Sequence, residues 1–490
     1  MAESESRAVW RYAKASRAHV IVDGAEYFRW MREAMLAAEQ RILLIGWDFD
    51  TRIRFGHSEE GERRRRRDPP DRLAEFIPWL IRRRPRLEVR LLKWNIGALK
   101  MVFRGRMMIH LLRWWLNPAI DFKFDSAHPV GCSHHQKIVV IDDQFAVCGG
   151  IDMTGERWDT PKHRENDPRR TGPTGKPHGP WHDATMALEG EVAAVLGEYG
   201  RERWQQAGGK PLEPCPRREG SPWPDGLEAE YRDVAVGLAR TRSQYEQVVE
   251  TREVEALFLE QIARAKRFIY AESQYFASRI IAEAIGERLS QPDPPEIVLV
   301  NPESADGWLE QTAMDGARIR LLNAIRERDH ARRFSIWCPY AACGTPIYVH
   351  AKVLIVDDEV VRVGSANFNN RSMGLDSEFD VFIDATRAGN EAAGPEIATL
   401  RHRLLAEHTG QTPEAISELL ERHGSMAAML DALPQDGKRL TRFRPRELTE
   451  AECAIADNEA LDPERPEEML SFYKRGGLFR SRFLRRPAKP

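Results

Sequence analysis

Two short stretches of the sequence combine residue types and spacings that could do chemistry. Residues 135–142 and 350–357 each begin with His, place Lys two positions later and end in Asp, seven positions after the His. Side chains two residues apart on a β-strand point to the same face. Each His and its Lys would therefore face one spot, where a titratable base and a cation could bind a phosphate group.

The match between the two stretches continues beyond the Asp. Small residues stand fourteen and fifteen positions after each His, and a polar residue stands seventeen positions after it. These matched pairs are Gly149 and Gly364, Gly150 and Ser365, and Asp152 and Asn367. A single His-x-Lys is common on an ordinary strand, but two copies with this shared spacing indicate an internal duplication. We expect the small residues to have a structural role in the motif.

The residues around the motifs predict the elements that must position them. Four apolar residues separate Lys from Asp in each copy, and such runs of Val and Ile are typical of a strand covered on both faces. A helical pattern and then an apolar strand precede the motif in both halves, at 26–47 and 254–271. Strands that alternate with helices predict an α/β fold. We expect two similar α/β sandwich domains, each with a mixed, largely parallel sheet flanked by helices.

Composition divides the chain into four parts. The Pro- and Gly-rich segment 208–235 is predicted to link an N-terminal half, 1–207, to a C-terminal half, 236–410, each with one motif. Residues 411–490 form a C-terminal extension with helical and basic segments. Its last part, 474–490, has seven basic and no acidic residues. Two interpretations of that part stay open, a disordered end and a weak membrane-surface anchor.

Length and charge limit the class of protein. The 490 residues exceed the usual size of one hydrophobic core, about 250–300 residues, so two core units are expected. A net charge of −2 argues against a dedicated nucleic-acid binder, and no nucleic-acid partner is expected. The sequence has no signal-peptide pattern and no run of 18 apolar residues. We expect a cytoplasmic protein that makes transient contact with a membrane surface.

Further residues give the two halves a family resemblance. They are residues 149–152, Arg157-Trp158-Asp159 and Pro180-Trp181-His182-Asp183 in the first half, and residues 269–276 in the second. With the twin HxKxxxxD motifs, they make the sequence resemble the phospholipase D superfamily over roughly residues 8–410. The finer match is to the phosphatidylcholine-hydrolysing type. The resemblance implies a phospholipase D fold with the active site at the interface of the two halves.

Across such an interface the two motifs could act together on a phosphodiester. Lys137 and Lys352 would hold its anionic oxygens, and Asn367 would donate a further hydrogen bond. One His would attack phosphorus to give a covalent phosphohistidine. The other would protonate the leaving alcohol and then activate water or a second alcohol. The symmetry of the motifs leaves these two roles open, but the resemblance implies His135 as the nucleophile and His350 as the acid and base.

Carboxylates near the motifs have distinct expected roles. A catalytic His is usually oriented by a carboxylate at its second ring nitrogen. Asp183 and Glu378 are the candidates, because each precedes a strand that could lie beside its own motif strand, and the resemblance implies the same positions. Asp142 and Asp357, at the far ends of the motif strands, are expected to be structural. Asp152 is grouped with the phosphate-binding residues. An ionised Asp would repel phosphate, so we expect it to be hydrogen-bonded away from the anion or to contact a headgroup or hydroxyl.

These inferences predict a phospholipase D that hydrolyses the distal phosphodiester of phosphatidylcholine-like glycerophospholipids. The products would be phosphatidic acid and the headgroup alcohol, and transphosphatidylation could accompany hydrolysis. The alternatives are a phosphatidyltransferase of the cardiolipin or phosphatidylserine synthase type, a nuclease or other phosphodiesterase of the superfamily, and a binding protein with a dead site. No metal or other cofactor is expected, because two Lys supply positive charge and no motif with metal-ligand spacing occurs. Both half-sites belong to one chain, so a monomer is sufficient for catalysis.

Overall fold

The computed structural model describes residues 7–56, 68–94, 106–305 and 308–449, together with residue 462. The arginine run at 63–67 and the basic segment at 474–490 lie outside these residues. Among the helices that are described, none has the length and apolar character needed to cross a bilayer.

The first half alternates strands and helices as the sequence pattern predicts. Its elements are β1 (Arg11–Val22), α1 (Gly24–Ala37), β2 (Arg41–Gly46), α2 (Leu73–Arg83), β3 (Glu88–Trp94), α3 (Arg106–Trp115), β4 (Ile120–Asp125), β5 (Ile138–Ile141), β6 (Phe145–Gly149), β7 (Trp181–His182), β8 (Ala184–Gly190) and α4 (Glu191–Gln206).

The second half repeats this pattern, and its first strand begins inside the segment 208–235. Its elements are β9 (Tyr231–Arg242), β10 (Thr251–Arg252), α5 (Glu253–Arg264), β11 (Phe268–Glu272), α6 (Arg279–Leu289), β12 (Glu296–Val300), α7 (Trp308–Arg326), β13 (Phe334–Tyr340), β14 (Tyr348–Val349), β15 (Val353–Val356), β16 (Val360–Gly364), α8 (Asn370–Gly374), β17 (Glu378–Asp384) and α9 (Ala393–Thr409). Beyond it lie α10 (Pro413–His423), α11 (Met426–Ala432) and β18 (Arg439–Arg442).

One hydrogen-bonded sheet runs through both halves. Its strand order is β18-β13-β12-β11-β15-β16-β17-β9-β1-β8-β6-β5-β2-β3-β4, and β10 pairs with β9. Outward from the centre, β1-β8-β6-β5-β2-β3-β4 in the first half corresponds to β9-β17-β16-β15-β11-β12-β13 in the second. The antiparallel pairing of β1 with β9 therefore joins two equivalent half-sheets, which is the arrangement expected of a duplicated chain.

The predicted α/β class is confirmed, with a mixed sheet flanked by helices, but parallel pairing does not predominate. In the first half β3 is parallel to β2 and β4, whereas β5 is antiparallel to β2 and β6, and β8 is antiparallel to β6 and β1. The cause is the turn after the motif strand. Asp142 and Asp143 there have φ of 54° and 53°, and so tight a turn joins antiparallel strands.

The motif strands are buried on both faces because they separate two apolar layers. Ile138 and Val140 face a core that also contains Val353 and Ile355, so this layer is continuous across both halves. Val139 faces a second core, formed with α1 and α2 in the first half. Burial on both faces explains why the four residues between Lys and Asp are all apolar in each copy.

Asp142 and Asp357 close the far end of each motif strand. The carboxylate of Asp142 accepts hydrogen bonds from the backbone N–H groups of residues 39–41, each at 2.8 Å. Asp357 accepts the equivalent bonds from residues 266–268 at 2.7–2.8 Å. Each carboxylate thus ties its motif strand to the start of the neighbouring strand, β2 or β11.

We expect Asp142→Ala to lower the free energy of unfolding by about 2–4 kcal/mol. It leaves three backbone donors without their acceptor and places Ala in a left-handed conformation. Asp142→Asn should cost less, because Asn tolerates that conformation and keeps an acceptor oxygen. Urea unfolding of both variants, beside the exposed Asp436→Ala, measures the effect. A loss for Asp142→Ala no greater than that of Asp436→Ala would contradict the assigned role.

Candidate active site

The two halves exchange backbone contacts at the motif histidines. In β14 and β7 the residues before His350 pair in parallel with Trp181 and His182, and His350 N donates to the carbonyl oxygen of His182 at 2.7 Å. The equivalent contact in the other direction is His135 N to the oxygen of Ser377, at 2.9 Å. Each motif histidine is therefore held by a segment of the opposite half.

The side chain of each motif histidine also pairs with a carboxylate from the opposite half. His350 Nδ1 lies 2.7 Å from Asp183 Oδ2, and His135 Nδ1 lies 3.1 Å from both oxygens of Glu378. The expectation that each carboxylate would serve the motif of its own half is wrong. β6 lies between β5 and β8, and β16 lies between β15 and β17, so neither carboxylate precedes a strand next to its own motif strand.

Both carboxylates are fully buried. Hydroxyl groups of Ser365 and Ser372 donate to Glu378, the latter at 2.7 Å, yet burial raises the pKa of Glu378 to about 8. Burial also raises the pKa of Asp183, which accepts a hydrogen bond from Ala184 N at 2.8 Å. A Cβ on Gly150 would lie 2.1 Å from Asp183 Oδ1. This glycine therefore makes the room in which Asp183 reaches His350.

The two lysines lie at the same site. Lys137 Nζ donates to the carbonyl oxygen of His135 at 2.6 Å, and Lys352 Nζ donates to that of His350. Lys352 also donates to Gln274 Oε1 at 3.2 Å. Burial lowers the pKa of Lys352 to about 7. An anion bound beside it would favour the charged ammonium.

Burial and neighbouring cations favour the neutral form of both imidazoles. Burial lowers the pKa of His135 well below its usual range, and the charges of Lys137 and Lys352 lower it further. The pKa of His350 is lowered in the same way, by burial first and then by both lysines and Arg157. Each Nδ1 faces a carboxylate, which leaves Nε2 as the ring nitrogen available to a substrate.

The two polar residues at the seventeenth position have different surroundings. Asn367 is buried, and its Oδ1 has no hydrogen-bond partner in the described part of the chain. The carboxylate of Asp152 accepts a hydrogen bond from Trp47 N at 3.1 Å and lies 3.4 Å from Lys137 Nζ. Asp152 is thus engaged with the backbone and with the lysine of its own motif.

Aromatic residues that the sequence reasoning did not assign to the site flank both imidazoles. Trp181 lies 5.1 Å from His350 between ring centroids and stacks on Tyr348 at 4.8 Å. The guanidinium group of Arg157 lies over Trp181, 4.1 Å from the ring centroid. Trp47 meets His135 edge-on at 6.4 Å. One signal could have found Trp47, because it follows a buried parallel strand at the edge where sites form.

The chain is a pseudo-twofold α/β protein with one His-Lys motif from each half at a shared site. Two family models of phospholipase D-like domains match part of it. The family model described as "Phospholipase D" matches residues 337–456, and the model described as "Cardiolipin synthase, PLD-like domain" matches residues 258–394. Both matches fall on the second half and its extension.

Curated relatives and a solved structure are also similar to this chain. Phospholipase D alpha 1 of Nicotiana tabacum is 27% identical over 401 residues, covering 58% of this chain and 49% of its own. Phospholipase D1 of Saccharomyces cerevisiae is 24% identical over 422 residues, covering 65% and 25%. The chain thus spans about half the length of the plant relatives it matches. Phosphatidylserine synthase of Haemophilus influenzae Rd KW20 has a similar fold, with TM-score 0.54, 12% identity and coverage of 87% of this chain and 97% of that one.

The buried carboxyl of Glu378 predicts a pH-dependent stability. Its folded pKa of about 8 exceeds the ~4.3 of an unfolded Glu. The protonated side chain therefore contributes its full stabilisation below the unfolded pKa, and this contribution is lost as the pH rises through the folded pKa. Between the two pKa values, the free energy of unfolding falls by about 1.4 kcal/mol per pH unit. Since Glu378→Gln cannot ionise, its free energy of unfolding should rise relative to wild type from about pH 5 to about pH 8.

Urea unfolding at several pH values measures this difference. The exposed Glu418→Gln is the matched control, and its difference from wild type should stay flat. A difference between Glu378→Gln and wild type that does not change with pH would contradict a buried, protonated Glu378.

Proposed function

We propose that the protein is a phospholipase D that cleaves the distal phosphodiester of phosphatidylcholine-like glycerophospholipids. The observation that carries the proposal is the pair of imidazoles, each oriented at Nδ1 by a buried carboxylate of the opposite half and each accompanied by a lysine. The family-model matches and the named plant and yeast relatives support the lipid substrate class.

In the proposed first step, Nε2 of His135 attacks phosphorus and the bond from phosphorus to the headgroup oxygen breaks. His350 gives its proton to the departing alcohol. Lys137 and Lys352 hold the anionic oxygens, with a hydrogen bond from the Asn367 side chain. Burial and the neighbouring cations lower the pKa of His350, so the bound phosphodiester anion must raise it enough for His350 to carry that proton.

In the second step, water gives a proton to His350 and its oxygen attacks phosphorus. The bond between His135 and phosphorus then breaks, which releases phosphatidic acid and restores both imidazoles. An alcohol that takes the place of water gives transphosphatidylation. The side chains of Glu378 and Asp183 hold the two rings in place through Nδ1, and the Asp183 carboxylate stabilises the imidazolium form of His350.

An exposed apolar surface supports contact with lipid. On α3, Met107, Leu111 and Trp114 are buried, whereas Leu112 and Trp115 are 59% and 68% exposed. A helix that is apolar on both its inner and outer faces is typical of an interaction surface or a membrane interface. We infer that this outer face of α3 enters the headgroup region while a lipid occupies the site.

A second candidate is a phosphatidyltransferase that passes the phosphatidyl group to an alcohol such as serine. The fold shared with phosphatidylserine synthase over 87% of this chain and the cardiolipin synthase-type family match favour it. The two candidates share the first step and differ in the acceptor of the second.

Mass spectrometry of products from phosphatidylcholine vesicles with ethanol or serine present tests both candidates. We expect phosphatidic acid and phosphatidylethanol from the wild type. Loss of either imidazole should reduce both products at least about 1,000-fold, because it removes the nucleophile or the acid. His135→Ala and His350→Ala are the variants, and the exposed His330→Ala is the control.

The outcome separates the candidates. Phosphatidylserine formed in preference to phosphatidic acid would favour the transferase. Absence of product from any common phospholipid, with cleavage of a nucleic acid or a simple phosphodiester instead, would overturn the lipid assignment.

The proposed membrane contact makes a separate prediction. The double variant Leu112→Ser, Trp115→Ser removes exposed apolar surface that would be buried in lipid at about 25 cal/mol per Å². Activity on vesicles should fall at least about 10-fold, whereas activity on a short-chain, monomeric phospholipid should stay within about 2-fold. Equal losses on both substrates would place the effect of these residues in the fold or the site and would contradict the contact.

A further inference from the structure

Behind the site lies a buried cluster of ionisable side chains that the proposed reaction does not use. Its inner members are Asp23, before α1, His163, in the loop that precedes β7, His182, on β7, and Glu407, on α9. One donor atom from each of these four residues lies within 4.8 Å of the other three. Their side chains are 0–4% exposed.

Several distances between these donor atoms are close to those of a tetrahedral cage around a metal ion. His163 Nε2 lies 3.1 Å from Glu407 Oε1 and 3.7 Å from Asp23 Oδ2. His182 Nδ1 lies 2.7 Å from the same Glu407 oxygen and 3.2 Å from Asp23 Oδ1. Zinc bonds of 2.0–2.2 Å in a tetrahedron separate neighbouring ligand atoms by roughly 3.3 Å.

The outer ring nitrogens of both histidines contact carboxylates, as is usual for histidines that bind a metal through the other nitrogen. His163 Nδ1 lies 2.9 Å from Asp159 Oδ2, and His182 Nε2 lies 2.8 Å from Glu272 Oε2. A metal-ligating His commonly donates its other N–H to a carboxylate, which fixes the ring and its tautomer. Both rings here satisfy that pattern, with the inner nitrogen directed at the cage.

The groups that surround the two imidazole rings favour a bound cation between them. All four ring nitrogens of His163 and His182 face carboxylate oxygens, but a neutral imidazole has one N–H. The two rings are fully buried with centroids 6.0 Å apart, and their inner nitrogens, His163 Nε2 and His182 Nδ1, both face Glu407 Oε1. Among the described residues, none donates a hydrogen bond to Asp23 Oδ2, which is also buried. A divalent cation between these atoms would bind both ring nitrogens and this oxygen.

We propose that Asp23, His163, His182 and Glu407 bind one Zn²⁺ ion in a closed structural site. Two nitrogen and two oxygen ligands at tetrahedral spacing suit zinc. The ion would join four segments, three from the first half and α9 from the second. His182 precedes Asp183, whose carboxylate holds His350, so the ion would fix the position of that carboxylate from behind. The ion takes no part in the proposed phosphoryl transfer.

Metal content tests the proposal independently of activity. The full-length protein is stripped with a chelator, incubated with Zn²⁺, passed through gel filtration and analysed by inductively coupled plasma mass spectrometry. We expect one zinc per chain for the wild type and for the exposed His330→Gln. His163→Gln and Glu407→Gln, each of which removes a ligand, should retain less than about 0.1 zinc per chain.

Zinc should also raise the melting temperature of the stripped wild type by at least about 2 °C and leave both ligand variants unchanged. If the ligand variants do not fold, the visible spectrum of the Co²⁺-loaded wild type decides. The intense bands of tetrahedral Co²⁺ support the site. Their absence, or a zinc-free wild type after incubation, overturns it, whatever the phospholipase assay shows.

Discussion

Two crossed imidazole–carboxylate contacts are the interactions on which the rest of the site depends. His135 is held by Glu378 and His350 by Asp183, and in each pair the two residues come from different halves. Burying a carboxylate is costly unless it is paired and hydrogen-bonded. The serine hydroxyls, the lysines and the glycine at 150 are arranged to meet that requirement. Neither half alone can orient its own histidine.

Much of the site could be predicted because its chemistry is local in sequence. His and Lys two apart on a strand, the apolar run that buries the strand and the closing Asp were all visible, and the duplication fixed their equivalents. Asp183 and Glu378 were also identifiable, but their partners were not. The pairing of each histidine with a carboxylate of the opposite half depends on the contact between β7 and β14. This contact joins residues about 167 positions apart. No local pattern encodes such a contact.

Two other differences between prediction and structure have separate causes. Parallel pairing was overestimated because the Asp142-Asp143 turn, which reverses the chain after the motif strand, has left-handed residues other than Gly or Asn. The cluster of Asp23, His163, His182 and Glu407 went unnoticed because its members come from four separate segments with no shared spacing. Its residues become neighbours only when α9 and β1 meet the loop before β7.

The central pairing of β1 with β9 has a mechanical consequence. The backbone hydrogen bonds run without interruption from one half-sheet to the other, and one apolar layer continues beneath both. The halves therefore cannot swing apart on a hinge, since opening would break the ladder and expose the shared layer. In the proposed reaction, a substrate would therefore enter and a headgroup would leave without separation of the two half-sheets.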